Sequence, residues 1–197
     1  VVTSQSRSKG TSSLSLRTVS SNRERPPGSR GSACFGAWGV LQGDGFCWQY
    51  EGDWKCTHPG QLLVGRALTA LYMPRRPDMR RLMEEKGARC GCIGDQISWP
   101  IDMLQPGDVY VADVYGKIEH GPVIGDNLST AIYAKAGKGV VHDAAVRDLD
   151  GIQEIPGFVS FVRGWHPSYA SPTIMLLGAN CPVRLGRATV MPGTMRN

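Results

Sequence analysis

The sequence predicts an α/β fold organised around a parallel βαβ unit, and three observations predict it. An apolar strand pattern from Val109 to Val114 follows the turn Pro106-Gly107-Asp108. Next, Leu128, Ala131, Ile132 and Ala136 recur at helical spacing behind Gly125-Asp126-Asn127, where Asp or Asn can cap a helix entry. That helix should stop at Gly137-Lys138-Gly139, because glycine accepts the left-handed conformation a C-cap needs. Finally, a buried strand begins at Gly139-Val140-Val141 and leads to Val146. Two strands joined by a helix in this way run parallel. The loops leaving them therefore open on the same edge of the sheet, where open α/β sheets bind their ligands.

The remaining elements flank this unit. Gly60 to Met73, GQLLVGRALTALYM, alternates as a strand with Leu63, Gly65, Ala67, Thr69 and Leu71 on one face, and Pro74 stops it. Pro77 to Lys86 has helix-forming composition, with Pro and Asp in its first turn and Gly87 expected just past its end. Its Arg80-Arg81 and Glu84-Glu85 are spaced for i,i+4 pairs on a solvated face. Leu149 to Gly157 reads as a short helix or turn. Phe158 to Gly164 and Thr173 to Gly178 read as strands, and Pro182 to Val190 as a hairpin. Residues 88–103 and Ala33 to Trp54 give mixed signals, although Trp38, Trp48, Tyr50 and Trp54 have the character of core or interface aromatics.

Length and composition bound the possibilities. The 197 residues fit one domain with an added tail, and 41% hydrophobic residues suffice for a sizeable core. The net charge of +5 resides in the first 32 residues, which hold six Arg or Lys against one acid; the rest has sixteen of each sign. The reading therefore expects no nucleic-acid partner. Residues 1–33 form a basic Ser/Arg-rich segment that cannot bury enough apolar surface to order itself, so disorder is expected there and a domain over 34–197. The segment's composition is similar to an organellar transit peptide, but it has no amphipathic stripe. A fragment or an imperfect gene model is the favoured explanation of a chain that starts without Met. No run approaches the roughly 20 apolar residues of a membrane span, and a soluble, cytoplasmic protein is expected. The six cysteines, Cys34, Cys47, Cys56, Cys90, Cys92 and Cys181, lack zinc-site spacing and read as reduced thiols.

The candidate site lies in the two converging loops. The first holds Gly125, Asp126, Asn127 and Leu128; the second holds Arg147 and Asp148, with twenty residues between Asp126 and Arg147. A helix N-terminus offers unbonded N–H groups and partial positive charge to an anion. Arginine adds a bidentate partner for a carboxylate, and an adjacent carboxylate can hold a hard divalent cation. The combination suits a small carboxylated substrate beside a metal ion. Taken singly, Asp126 could be no more than a helix cap and Arg147-Asp148 no more than a surface ion pair. His142 reads as a strand residue, and His58, His120 and His166 as loop or surface residues.

Asp-(x20)-Arg-Asp at Asp126, Arg147 and Asp148 resembles the signature of the RraA-like family. The resemblance extends to G-R-A-x-T at Gly65 to Thr69, L-Q-P-G-D at Leu104 to Asp108 and the closing P-V-R-x-G…A-T-V-x-P-G, covering about residues 36–193. The family includes class II 4-hydroxy-4-methyl-2-oxoglutarate/4-carboxy-4-hydroxy-2-oxoadipate aldolases and the regulator of ribonuclease activity A. The resemblance implies a compact β/β/α, swivelling-domain-like fold assembled as a homotrimer or hexamer. It implies an aldolase cleaving a 4-hydroxy-2-oxo acid to pyruvate and a second oxo acid, with oxaloacetate decarboxylation as a side activity. Asp148 would bind Mg²⁺ or Mn²⁺, and Asp126 would hold the metal's waters. Arg147 would bind the 2-oxo acid and stabilise the enolate, while amides around Gly125, Asn127 and Leu128 hold the substrate carboxylate. The alternative within the family is a non-catalytic regulator that binds a protein partner such as a ribonuclease. Two departures stand out: Ala144 where the family usually has Gly, and a chain ending at Asn197 where the family pattern continues with a further acidic residue. A truncated domain or an incomplete metal site is expected from the second.

Overall fold

Three strands with apolar side chains on both faces frame the fold. The computed structural model describes residues 2–8 and 11–18 as backbone, and residues 53–193 in full. In chain order the elements are β1 (Val2–Ser8), β2 (Thr11–Thr18), β3 (Lys55–Cys56), β4 (Leu63–Pro74), α1 (Pro77–Arg89), α2 (Trp99–Asp102) and β5 (Asp108–Lys117). They continue with α3 (Asp126–Ala136), β6 (Val140–Val146), α4 (Leu149–Gln153), β7 (Ser160–Val162), β8 (Gly164–Trp165), β9 (Ile174–Ala179), β10 (Val183–Leu185) and β11 (Ala188–Val190).

β4, β5, β6 and β7 lie side by side and parallel, in that order. The predicted β5–α3–β6 unit is thus present, with Tyr110 opposite Val140 and Ala112 opposite His142. Antiparallel strands extend both edges: β9 pairs the C-terminal half of β4, β3 pairs β7, and the β1–β2 hairpin pairs the start of β4.

Alternation along the central strands sends successive side chains to opposite faces. Leu68, Ala70, Tyr72, Tyr110, Ala112, Val114, Val140 and Val146 join Ile101 of α2, Ile132 and Ala136 of α3 and Ile152 of α4 in one apolar cluster. Ala67, Val109, Val111 and Val141 join Val183, Leu185 and Val190 of the β10–β11 hairpin in a second. A hairpin layer, a sheet and a helical layer result, which is the expected β/β/α arrangement.

Several expectations change on inspection. The helix predicted to end before Gly87 runs through it to Arg89. Gly87 is buried there because any β-carbon would lie 2.6 to 2.8 Å from ring atoms of Trp99, so the glycine makes room for the indole and does not terminate the helix. Arg80 makes the expected pair with Glu84 at 2.6 Å but is only 15% exposed, since it also donates to the Ser171 carbonyl at 2.8 Å. This side chain fastens α1 to the loop before β9 instead of facing solvent. Within residues 1–33, the backbone of 2–8 and 11–18 forms β1 and β2, and β2 lies antiparallel to the start of β4. Trp38, Trp48 and Tyr50 lie outside the described residues. Of the cysteines within them, Cys56, Cys90, Cys92 and Cys181 are all free thiols. No helix among the described residues is long and apolar enough to cross a membrane.

Candidate functional site

The two loops expected to converge do touch. The loop after β5 runs to Ile124, whose carbonyl accepts the Arg147 N–H at 3.2 Å just beyond the end of β6. Gly125 follows, and its lack of a side chain is what lets the loops close. A β-carbon there would overlap Asp148 Oδ2 and stand 3.0 Å from both Cγ and Nε of Arg147. Asp126 faces the next helix, its Cβ lying 2.8 Å from where a side chain on Gly151 would begin. The first turns of α3 and α4 thus sit together, and each brings a carboxylate to the edge.

The cap is one residue earlier than expected. Gly125, in extended conformation, is the N-cap of α3, and Asp126 is its first helical residue. The Asp126 carboxylate accepts the Asn127 N–H at 2.7 Å. The amides of Asp126 and Leu128 precede the first helical acceptor and have no partner within the helix; Ser129 is the first to bond back, to the Gly125 carbonyl at 3.0 Å. Asn127 is exposed, while Leu128 packs its side chain partly against the helix-side core and offers the site only its amide. The C-terminal end obeys the prediction: Gly137 is left-handed (φ 63°) and donates to Tyr133 O at 2.8 Å.

Arg147 and Asp148 are held differently from a free surface pair. Asp148 is the N-cap of α4 and adopts left-handed backbone angles (φ 56°, ψ 47°), a conformation Asp tolerates better than most residues but one that still stores strain. Its Oδ2 pairs with Arg147 Nε at 3.2 Å, and Arg147 is 24% exposed. The guanidinium carbon lies 5.2 Å from the centroid of the Tyr169 ring. Arg147 Nη1 is buried and has no hydrogen-bond acceptor among the described residues. An unpaired buried guanidinium N–H is expensive, and a ligand oxygen would satisfy it.

The donor set can be tested against a divalent metal. Among the described residues no group of three or more His, Cys, Asp or Glu side chains forms a cage. Two carboxylates, Asp126 and Asp148, reach the edge, and both are hard oxygen donors. One or two carboxylates suit Mg²⁺, which keeps most of its waters, and do not suit zinc, which takes a closed set of soft donors. The residues present therefore fit a largely hydrated hard cation. The histidines are engaged elsewhere. His58 Nε2 meets Gln153 O at 3.1 Å and His166 Nδ1 meets Ser168 Oγ at 2.8 Å, while His142 is buried in β6 edge-on to Tyr110. Two clefts, of about 520 and 580 Å³, do not include Arg147. The candidate site is a sheet edge held together by charge. Sequence reasoning missed Tyr169 and Gly151, because neither belongs to the spaced motif and only the chain's return through β8 and α4 brings them in.

Comparison with known proteins supplies the family and the fold. A family model described as Aldolase/RraA matches residues 45–195. The chain belongs to the RraA-like family. A comparison with curated proteins gives no match. Among solved structures, an uncharacterized protein from Pseudomonas syringae pv. tomato superposes with a TM-score of 0.60 at 23% identity, over 79% of this chain and 64% of that one. RraAS2 of Streptomyces coelicolor, described as an unusual member of the RNase ES inhibitor RraA protein family, gives 0.62 at 27% identity, over 79% of this chain and 71% of that one. The RNA-processing inhibitor RraA from Thermus thermophilis gives 0.50 at 20% identity, over 73% and 75%. The chain thus spans less than two thirds of the length of the Pseudomonas protein. The RraA-like family holds both aldolases and ribonuclease inhibitors, so membership alone leaves the chemistry to the site.

Proposed function

We propose that this RraA-like protein is a divalent-metal-dependent aldolase that cleaves a 4-hydroxy-2-oxo acid to pyruvate and a second oxo acid. The observation that carries the reading is the buried Arg147 Nη1 without an acceptor, set between an α-helix N-terminus and two carboxylates. A 2-oxo acid supplies what this arrangement lacks. Its carboxylate takes the amides left open at the start of α3, those of Asp126 and Leu128 on either side of Asn127 and next to Gly125, and its 2-oxo oxygen accepts from Arg147. When the C3–C4 bond breaks, the 4-hydroxyl proton passes to water, which returns a proton to C3 afterwards, and negative charge gathers on the 2-oxo oxygen. Arg147 then holds the developing enolate more tightly than the ground-state ketone, which is what lowers a barrier. Protonation at C3 releases pyruvate. Mg²⁺ or Mn²⁺, carried by Asp148 and through water by Asp126, would add Lewis acidity at the same oxygen. Decarboxylation of oxaloacetate forms the same enolate and is the expected side activity. An open edge site also suits a homotrimer or hexamer in which a neighbouring chain covers it.

A second reading follows from the name of the Streptomyces neighbour: a non-catalytic regulator that binds a protein partner such as a ribonuclease. That role has no use for a buried donor beside paired carboxylates. The two readings separate on one assay, pyruvate release from a 4-hydroxy-2-oxo acid with and without Mg²⁺. Metal-dependent turnover that disappears in Asp148→Ala supports the aldolase. No turnover by the folded protein, together with inhibition of a ribonuclease, would support the regulator.

A further inference from the structure

Arg147 is met by a group outside the family motif as well as by Asp148. Tyr169, in the loop between β8 and β9, presents its ring to the guanidinium at 5.2 Å, within the range of a cation–π contact. The ring is itself fixed, because the Tyr169 hydroxyl donates to Asp95 Oδ2 at 3.1 Å. Asp95 is fixed in turn. Its Oδ2 accepts a short hydrogen bond from Ser171 Oγ, its Oδ1 receives the Ile97 N–H at 3.4 Å, and Arg80 Nη2 stands 3.9 Å away. Arg80 also donates to the Ser171 carbonyl at 2.8 Å, so α1, the 94–97 turn and the 168–171 loop form one braced unit. The braced side chains are 22 residues or more from Arg147 in sequence, and among the described residues they reach it through the Tyr169 ring.

We propose that Tyr169, held by Asp95, is the positioning residue for Arg147, and that the Asp95–Tyr169 bond sets how well Arg147 meets a 2-oxo acid. Among the described residues the charged partner of Arg147 is Asp148, on the Nε side. An arginine tethered at one nitrogen swings about that tether, whereas a ring facing its guanidinium carbon restricts that swing and with it the direction of Nη1. Because Tyr169 is 45% exposed, it also forms part of the wall a substrate meets on approach. The inference rests on the aldolase reading for its effect on catalysis, but not for its effect on Arg147 itself.

The experiment therefore has two arms. In the first, the Arg147 Nε–Hε resonance is followed by NMR in the full chain, in Tyr169→Ala, Tyr169→Phe and Asp95→Asn. The expected wild-type signal is sharp and displaced by the aromatic ring current. It should collapse toward the free-arginine position in Tyr169→Ala and shift partway in Tyr169→Phe and Asp95→Asn. An unchanged signal in Tyr169→Ala overturns the proposal whatever the activity. In the second arm, pyruvate release is measured with Mg²⁺. KM should rise about tenfold in Tyr169→Ala, the size of effect a partly buried cation–π contact gives, and Tyr169→Phe, which keeps the ring but loses the bond to Asp95, should recover only part of it. A Tyr169→Ala enzyme whose KM and kcat are unchanged overturns the positioning role even if the signal moved. Absence of wild-type turnover refutes the aldolase reading and leaves the first arm to decide the placement of Arg147. Circular dichroism of each variant separates loss of fold from loss of placement.

Discussion

Gly125 sits where the two site loops press together, so Gly125→Ala should injure the site far more than the fold. A β-carbon there would lie 3.0 Å from Cγ and Nε of Arg147 and overlap Asp148 Oδ2, whereas ordinary contact begins at 3.4 Å. The Asp148 carboxylate must retreat by about 1 Å to make room, and a misplacement of roughly that size in a positioned group costs about 100-fold in rate, or about 2.7 kcal/mol of barrier. The backbone of Gly125 itself is extended and open to alanine, so the stability loss comes only from crowding, about 1–3 kcal/mol. Gly137→Ala is the matched control. Its β-carbon would meet nothing within 4 Å, but its φ of 63° is left-handed. It should lose about 1 kcal/mol of stability and keep its activity. Both variants are read by Mg²⁺-dependent pyruvate release coupled to NADH oxidation, beside thermal unfolding. If Gly125→Ala retains wild-type kcat/KM while it melts no lower than Gly137→Ala, the close approach of the two loops is not what organises the site.

Three further outcomes follow. His142 is fully buried, neither ring nitrogen has a partner among the described residues, and desolvation pushes its pKa down to about 3 from 6.5. The unfolded chain then takes up a proton first as pH falls, so stability should be intact above pH 6.5. It should drop by about 1.4 kcal/mol per unit on the way down toward 3; urea melts at several pH values should show His142→Leu with a shallower slope. Asp108 is 1% exposed and accepts from Arg66 Nε and from the Gln105 N–H, both at 2.9 Å. Asp108→Ala should destabilise by about 2–3 kcal/mol, a fall in Tm of roughly 6–10 °C, with any surviving folded protein turning over normally. Arg147→Lys keeps the charge but loses the planar fork and the ring contact, so KM for the 2-oxo acid should rise about tenfold or more even with saturating Mg²⁺.

The central unit was legible because each of its signals is local. The apolar period of α3, the left-handed glycine that ends it and the valine-rich strand that follows all act within a few residues. Parallel pairing then required the loops to share an edge. The N-cap was misplaced by one residue because Asp and Gly both suit that position, and only the close approach of Asp148 selects the one without a side chain. Gly87 was misread because a glycine that ends a helix and one that admits a neighbouring indole look the same in sequence. Trp99 is twelve residues away and gives no periodic sign of its destination. Tyr169 was invisible for a similar reason: its bond to Asp95 spans 74 residues.

The flanking motifs acquire a different meaning once they are seen in place. Arg66 N donates to the Gly107 carbonyl at 3.1 Å and Arg66 Nε to Asp108, so the G-R-A strand and the L-Q-P-G-D turn form one junction. Gly107 N donates to Ala136 O at 2.8 Å, bringing the end of α3 to the same place, and Gly193 of the closing P-G donates to Ala67 O at 2.8 Å. All four meet where β5 begins, while Asp126, Arg147 and Asp148 gather where β5 and β6 end. In a parallel sheet these are opposite edges. The sequence signature therefore divides by mechanism into a junction that fixes the register of β4 on β5, and a site that the register carries to the far edge. Variants at the junction should act through stability and variants at the far edge through turnover. That contrast gives Asp108→Ala and Gly125→Ala their value as a pair. A junction variant that lowered kcat in a fully folded protein would show that the two ends of the sheet are not mechanically independent.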